Sequence, residues 1–446
     1  MEPLLKYYFP TIEVSEEAMR ERGARYPPLF YLHLWWARRP QIGSRVTIAT
    51  SAVKVKSEPD KEFLKEFKNA VALLQRNKRP DRPAYNYSPN LNWIFSHSNV
   101  KDARLLDVFA GGGSIPFEAL RLGFKEVVAV EYNPVAYILL KATLEYPLKY
   151  EEKLVKDVEK WGRWLLDKAK EVLAEYYPRH PEGEPTNYIW VRVYRCRCGK
   201  LVPALSHPVL SKENKYALQL EYDGDKHVIK IVKGSGTKIG SGVTSLNCPE
   251  GHTLTSKEMQ AQYKREMEKW ENEGLYGYHP AILVAVKLAN GRFVEPTEEM
   301  INAVKKAEEQ LKRFWNNLIE EDLIPIEDIP DGDKTKEVKI RGISKFYKLF
   351  NARQLLTHAT IVKLIREAYE RIIKECEDEE YAKAVVTYLA LAHGKLLDYN
   401  SVITSWDPYN KGSINHVFDT HSYQFSQDFA EGDIITEGSG LHWCLF

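Results

Sequence analysis

The tightest constraint on this chain is the stretch Leu105-Leu106-Asp107-Val108-Phe109-Ala110-Gly111-Gly112-Gly113-Ser114-Ile115-Pro116-Phe117-Glu118-Ala119. Apolar residues ahead of Asp107 predict a buried parallel strand. The glycines let the chain turn tightly and bring its backbone against a ligand, because no Cβ intrudes. Ser114 is placed to cap the helix that follows, Pro116 suits its first turn, and Gly123 ends it. A second apolar run, Val127 to Val130, ends at Glu131, 18 residues beyond Gly113. In nucleotide-binding α/β sheets an acidic residue at that place accepts hydrogen bonds from ribose hydroxyls. The G-x-G-x-x-G fingerprint of NAD-binding turns is not met, since Ser114, Ile115 and Pro116 follow Gly113 with no third glycine in register. A tight strand–helix turn that holds no ligand is the alternative.

The stretch resembles the motif I pattern D-x-F-x-G-x-G-(S/T)-x-x-x-E-A of amino-methyltransferases acting on DNA or RNA bases. The resemblance implies an α/β fold with a class I, Rossmann-like methyltransferase sheet, complete or cut short within this chain, and S-adenosylmethionine as cofactor. Asp107, Phe109, Gly111 and Gly113 would cradle the methionine part, with Ala110 in the same loop. Glu131 would hold the ribose, and Tyr132 or Asn133 would flank the adenine.

Upstream, His33-Leu34-Trp35-Trp36-Ala37-Arg38-Arg39-Pro40 precedes a helical run, Gln41 to Val53. A helix start flanked by two arginines suits a carboxylate or phosphate; aromatic rings packed under arginine stems are the structural alternative. This segment is similar to the signature of a family of adenine-specific DNA methylases that contain a zinc ribbon. The similarity continues through Phe9-Pro10-Thr11-Ile12-Glu13-Val14-Ser15, Ala142-Thr143-Leu144-Glu145-Tyr146-Pro147, Phe350-Asn351-Ala352-Arg353-Gln354-Leu355-Leu356 and Asp398-Tyr399-Asn400-Ser401. It implies that Arg38, Arg39 and Pro40 lie beside the cofactor's methionine carboxylate, and that DNA is the partner.

Cys196-Arg197-Cys198-Gly199 lies about 50 residues before Cys248-Pro249-Glu250-Gly251-His252. Two short clusters of soft ligands near Gly or Pro turns, separated by β-rich sequence, suit one tetrahedral zinc ion. Cys196, Cys198, Cys248 and His252 would make a closed, structural Cys₃His site, with His227 a substitute ligand; the spacing departs from paired C-x-x-C knuckles. Arg192, Arg195, Arg197 and Lys200 surround the first pair and form either a phosphate-contacting surface or a solvated face. Arg353, Lys363 and Arg366 are further cations on a helical stretch.

Transfer to an exocyclic amine requires a base held by stacking and hydrogen bonds. The family does this with Asp-Pro-Pro-Tyr-type sequences, and the chain contains none. The nearest match is Asp407-Pro408-Tyr409, which lacks the second proline, and in the family the matching stretch precedes the catalytic motif. The resemblance implies that the family's remaining half follows Phe446. The chain is then either a portion that needs a second polypeptide or a non-catalytic relative.

At 446 residues the chain is expected to form two to three domains. The sequence divides into 1–177, carrying the glycine loop; 178–296, a β-rich zinc-ribbon-like insertion; and 297–446, helix-rich. The 63 basic and 62 acidic residues cancel, so any nucleic-acid site must be a local basic surface. Five cysteines do not make a disulfide framework. With no run of 18 apolar residues and no secretory pattern at the N-terminus, the expected location is cytoplasmic.

Overall fold

The computed structural model describes residues 1–446 except 24–26, 75–81, 206, 224–225, 240–243, 410 and 419–420. The sequence predicts a charged helical stretch over 60–77 and a Pro- and Asn-rich loop over 79–92; the end of the first, at Asn77, and the start of the second, at Arg79, lie outside the described residues. Residues 1–158 with 379–391 form one compact unit, and residues 159–378 with 392–446 form another.

The first unit opens with β1 (Glu2–Pro3), which pairs antiparallel with β2 (Lys54–Val55). Between them run α1 (Thr11–Gly23), α2 (Pro28–Leu32) and α3 (Gln41–Ala52). The apolar residues Ile42, Val46 and Ala49 of α3 share one core with Phe67, Leu73, Ile94, Ala119 and Leu122. Helix α4 (Lys61–Ala70) starts where Asp60 accepts the Phe63 amide at 2.8 Å, and α5 (Leu91–His97) where Asn90 accepts that of Trp93 at 3.2 Å. Such caps satisfy amides that a helix start leaves open.

Next come β3 (Arg104–Asp107), α6 (Ser114–Arg121) and β4 (Glu126–Ala129), with β3 and β4 parallel and Leu105 opposite Val127. The expected strand–loop–helix–strand is therefore present. Of the expected sheet, whole or cut short, only this pair is present: among the described residues β3 and β4 pair only with each other. The chain does not return as a third strand. It continues as α7 (Pro134–Leu140), a π-helical turn and α8 (Tyr146–Leu173), whose residues from 159 on belong to the second unit. Leu154, Trp161, Leu165, Ala169 and Leu173 recur at helical spacing and are buried. Leu105 and Val127 pack on the core, while Leu106, Val128 and Val130 on the other face are exposed. Helical residues 379–391 belong to this unit, where Leu391 and Tyr388 pack on Leu139 and Ala142.

The second unit is built on β5 (Pro185–Arg195), an eleven-residue strand whose end pairs with β6 (Leu201–Pro203). A meander of β7 (Val209–Ser211), β8 (Tyr216–Asp223) and β9 (Lys226–Lys233) follows, then a hairpin of β10 (Ser245–Asn247) and β11 (Thr253–Thr255). After α9 (Ser256–Glu273) come β12 (Ala281–Leu288), β13 (Phe293–Val294), α10 (Glu298–Glu320), α11 (Lys336–Lys339), α12 (Ala352–Cys376) and α13 (Glu379–Tyr399), of which only residues 392–399 belong to this unit. The hairpin β14 (Ser405–Asp407) and β15 (Ser413–Asn415), strand β16 (Asp428–Gly432) and α14 (Gly440–Leu445) complete it. The main sheet has the order β13-β12-β5-β16, so its strands come from both sides of residue 297. The whole is mixed α/β, with many helices and several small sheets.

The two later sequence motifs meet inside this unit. Asn351 and Gln354 form a capping box at the start of α12, each side chain accepting the other's amide at 2.9 and 3.0 Å. Arg353 is fully buried, forms an ion pair with Glu431 of β16 and lies 4.0 Å from the centre of the Tyr188 ring. Asn351 donates to the same Glu431 at 2.8 Å. Gln354 donates to Asn400 Oδ1 at 3.3 Å, and a nitrogen of His358 lies 3.0 Å from the Asn400 carbonyl.

Candidate cofactor and metal sites

The glycine loop joins the carboxyl end of β3 to α6. The Val130 amide donates to the Asp107 carbonyl at 2.8 Å, and the Ala110 amide to the Val130 carbonyl at 3.1 Å, so the loop is anchored across the strand pair. Gly113 sits at φ 82°, the left-handed region that glycine tolerates, and occupies the position before the first helical residue. Ser114 is therefore not the cap the sequence predicted. It is the first helical residue, and its Oγ is buried without a hydrogen-bond partner.

Glu131 lies beside the loop. Its Oε2 accepts the Gly111 amide at 2.7 Å, and its Oε1 accepts those of Tyr132 and Asn133, both at 2.9 Å. Chiefly the Asn133 and Gly111 amides hold its carboxyl below the ordinary range. Asn133 caps α7, accepting the Val135 amide at 3.0 Å, which commits its side-chain oxygen. Tyr132 and Phe109 are exposed.

The Trp-Arg segment reaches the same loop. Arg38 donates to the Gly112 carbonyl at 3.4 Å and to the His33 carbonyl at 3.2 Å. A Cβ at Gly112 would stand 2.9 Å from both Arg38 Cγ and Trp35 Cδ1, so glycine there is required by close approach. Burial pulls the Arg38 guanidinium down to about 10. Arg39 and Pro40 line a groove of about 650 Å³ along α3 and β3, with Ile48, Leu105, Leu106 and Phe124.

Four buried polar atoms near this loop make no hydrogen bond among the described residues: Trp35 Nε1, Arg38 Nε, Asp107 Oδ2 and Ser114 Oγ. Buried polar atoms are ordinarily satisfied, so such a cluster marks space for a polar ligand. A ligand with a carboxylate, an ammonium group and hydroxyls fits this donor and acceptor set, and the methionine and ribose parts of S-adenosylmethionine are of that kind.

In the second unit, Cys196, Cys198, Cys248 and His252 bring one ligand atom each to within 4.8 Å of one another. Cys196 Sγ is 3.5 Å from His252 Nδ1, and Cys198 Sγ is 3.5 Å from Cys248 Sγ. A tetrahedral zinc with bonds of about 2.3 Å separates its ligands by about 3.8 Å, so the donors need little movement. The two knuckles share one turn. The amide of Cys196 donates to the Lys200 carbonyl and that of Gly199 to Cys196; the amide of Cys248 donates to His252 and that of Gly251 to Cys248. Gly199 and Gly251 take φ 94° and 78°. The Lys200 amide, more than any other group, holds the Cys198 thiol down to about 6, while burial pushes Cys248 up to about 11. His227 lies on β9 and is not among the four.

The remaining candidates fall elsewhere. Asp407 and Tyr409 sit at the β14–β15 hairpin, where Asp407 Oδ1 accepts the Tyr409 amide at 2.9 Å and Lys212 donates to the Tyr409 hydroxyl; Pro408 lies between them. Arg192, read as a cation able to meet phosphate, is fully buried, donating to Ser426, Tyr263 and Val402. Arg353 is likewise internal. Arg195 and Arg197 are exposed, and Lys200 pairs with Glu250 at 2.6 Å. Lys363 and Arg366 are exposed and engage Glu321 and Asp322. Sequence reasoning missed the orphaned Trp35 indole and the shared knuckle turn; glycine three residues after the first cysteine of each knuckle was the available signal for the latter.

Residues 8–71 match a family described as "Protein of unknown function (DUF1156)". Comparison with curated proteins and with solved structures returned no match. Residues 80–171, which hold the glycine loop and Glu131, match the family "Conserved hypothetical protein 95", which is related to methyltransferases and so implies use of S-adenosylmethionine.

Proposed function

We propose that the chain is the cofactor-binding and recognition portion of an S-adenosylmethionine-dependent methyltransferase acting on DNA, at the N6 amine of adenine, and that a second polypeptide presents the acceptor. The observation that carries this reading is the set of four orphaned buried polar atoms around one glycine loop. Arg38 complements a carboxylate and Asp107 an ammonium, the two charges of a methionine moiety. Glu131 Oε2 accepts one hydrogen bond and keeps a lone pair for a ribose hydroxyl. Tyr132 offers a ring face to the adenine, and with Asn133 committed to its cap, Tyr132 is the better flanking residue. The cofactor supplies an electrophilic methyl group; the chain's own residues bind and orient it.

The second polypeptide is supported by the open edge of β3. Because the Asp107 carbonyl serves β4, the main-chain groups of Arg104, Leu106 and Val108 point to the other side. There Arg104 and Leu106 border the apolar groove beside α3. A parallel strand with bare apolar neighbours is ordinarily covered. The closed Cys₃His set suits a structural zinc rather than a catalytic one. Beside it, a groove of about 860 Å³ carries Arg195, Arg197, Arg265 and Lys269, which suits contact with DNA phosphates.

Two other readings remain. Motif I alone does not separate adenine-N6 from cytosine-N4 or RNA substrates. The lack of an Asp-Pro-Pro-Tyr sequence, with Asp407 and Tyr409 engaged in their own hairpin, favours a non-catalytic zinc-dependent DNA-binding subunit. Calorimetry with S-adenosylmethionine tests the first step: saturable binding lost in Glu131→Ala is expected, and no binding sinks it. Transfer of labelled methyl to adenine in DNA, rather than to cytosine or RNA, in the presence of the product of an adjacent reading frame tests the rest.

A further inference from the structure

A cavity of about 200 Å³ in the second unit lies between β12, β5 and α10, lined among others by Trp190, Tyr278, Leu283, Ile301, Glu308 and Phe429. Its walls are flat. Trp190 and Phe429 stack with planes 2° apart and centroids at 5.7 Å, which fixes the indole in place. One polar group in these walls is unaccounted for, and a second lines the same cavity. Trp190 is more than nine-tenths buried, yet its indole Nε1–H donates to no acceptor among the described residues. Glu308, which lines the cavity from α10, is partly buried, and burial raises its carboxyl above the ordinary range despite nearby Lys305. A buried indole N–H normally finds a partner. One fixed donor and one acceptor beside the Trp190–Phe429 stack suit a planar ligand whose edge carries the converse pair.

We propose that this cavity binds a nucleobase edge in which a ring nitrogen acceptor adjoins an exocyclic amine, with Trp190 Nε1 donating to the ring nitrogen and Glu308 accepting from the amine. Cytosine presents that pair at N3 and N4, adenine at N1 and N6. Uracil reverses it, placing an N–H against the indole donor and a carbonyl against the carboxylate. The pocket therefore selects amino bases by hydrogen-bond polarity, a discrimination stronger than shape alone provides. It is composed only of second-unit residues and stands whether or not the glycine loop holds the methyl donor.

Calorimetric titration of the full chain with cytidine and with uridine tests this. Cytidine is the better probe because adenosine also suits the Glu131 cleft. Saturable cytidine binding is expected, about ten-fold or more tighter than uridine. Trp190→Phe, which keeps a ring and removes the donor, and Glu308→Leu should each weaken it by about ten-fold, while Glu131→Ala leaves it unchanged. Absence of cytidine binding, equal binding of uridine, or binding that follows Glu131 and ignores Trp190 and Glu308 would overturn the assignment. Should Trp190→Phe fail to fold, Ile301→Arg, at a partly exposed lining position, replaces it: loss of cytidine binding with an unchanged melting temperature supports the pocket, and retained binding refutes it.

Discussion

Arg45 of α3 and Glu118 of α6 form an ion pair in which neither side chain reaches solvent, with Nε 2.6 Å from Oε2 and Nη2 3.3 Å from Oε1. Arg45 also donates to the carbonyls of Val71 and Tyr87, at 3.2 and 3.0 Å. Arg121 adds a second cation to the same carboxylate at 2.8 Å and reaches the carbonyls of Tyr85 and Tyr87. Glu118 is the acidic position of the motif I pattern. Its role is to tie the helix after the glycine loop to α3 and to the chain around residues 84–87.

Removing that carboxylate leaves two guanidinium groups facing one another in a buried setting. Glu118→Ala should cost about 3–5 kcal/mol of stability, the range for breaking a buried pair from one side. Urea unfolding of the variant measures it. A loss under about 1 kcal/mol would mean that water reaches Arg45 and that the network is looser than its distances imply.

Glu21 carries the clearest pH dependence. Its carboxylate caps the start of α3, accepting the Gln41 and Ile42 amides at 2.7 and 3.3 Å, yet burial pushes its carboxyl up to about 7. The folded state thus binds a proton that the unfolded chain releases at an ordinary carboxylate value. Stability attributable to Glu21 should fall as pH rises from about 4.5 to about 7 and level off above, with a slope of at most about 1.4 kcal/mol per pH unit. Glu21→Gln keeps an acceptor for the amides and should remove the slope. Parallel urea midpoints for both proteins from pH 5 to 8 decide it; superimposable profiles would refute the prediction.

Glu131 should behave in the opposite sense. Three amides hold its carboxyl below the ordinary value, so it stays ionised across the neutral range. S-adenosylmethionine binding that depends on it should be flat from pH 6 to 8 as far as this group is concerned, and fall only well below the ordinary carboxylate range. Glu131→Gln should weaken binding by about ten-fold by replacing a charged acceptor with a neutral one. Calorimetry across pH reads both effects, and a midpoint near neutrality would assign the titration to another group.

What the sequence discloses follows from how local the signal is. The strand–loop–helix–strand unit was legible because β3, α6 and β4 lie within 26 residues and the glycines, the apolar runs and Glu131 are each read directly. The four metal-ligand candidates were legible by residue type, although their unequal spacing concealed that both knuckles use one turn. Strand β16 was not legible. Phe429, Ala430 and Glu431 are buried in succession, so no polar–apolar alternation marks it, and Glu431 is internal only because Arg353, nearly 80 residues earlier, neutralises it. Arg192 misled for the same reason: among neighbouring cations it reads as surface charge, and only the distant Tyr263, Val402 and Ser426 make it a core residue.

The cysteine cluster gives the sharpest test of an element the sequence singled out. Three sulfur atoms and one imidazole nitrogen within 4.8 Å join the β5–β6 turn to the β10–β11 turn, and Lys200 with Glu250 makes a further link between them. Zinc should bind at about one ion per chain, read by elemental mass spectrometry, and Cys196→Ser or Cys248→Ser should release it. Beyond the ion, β10 and β11 are three-residue strands paired only with each other among the described residues, held by the buried Leu246 and Leu254 and by the Arg195–Gln262 hydrogen bonds from β5 to α9. Chelation should therefore lower the melting temperature of the full chain and increase amide exchange at residues 196–200 and 248–252. S-adenosylmethionine affinity should be unchanged, because the ligand candidates for it lie in the first unit. A chain that retains no metal after purification in zinc-containing buffer, or one whose exchange pattern ignores the chelator, would make these four residues a metal-free turn pair.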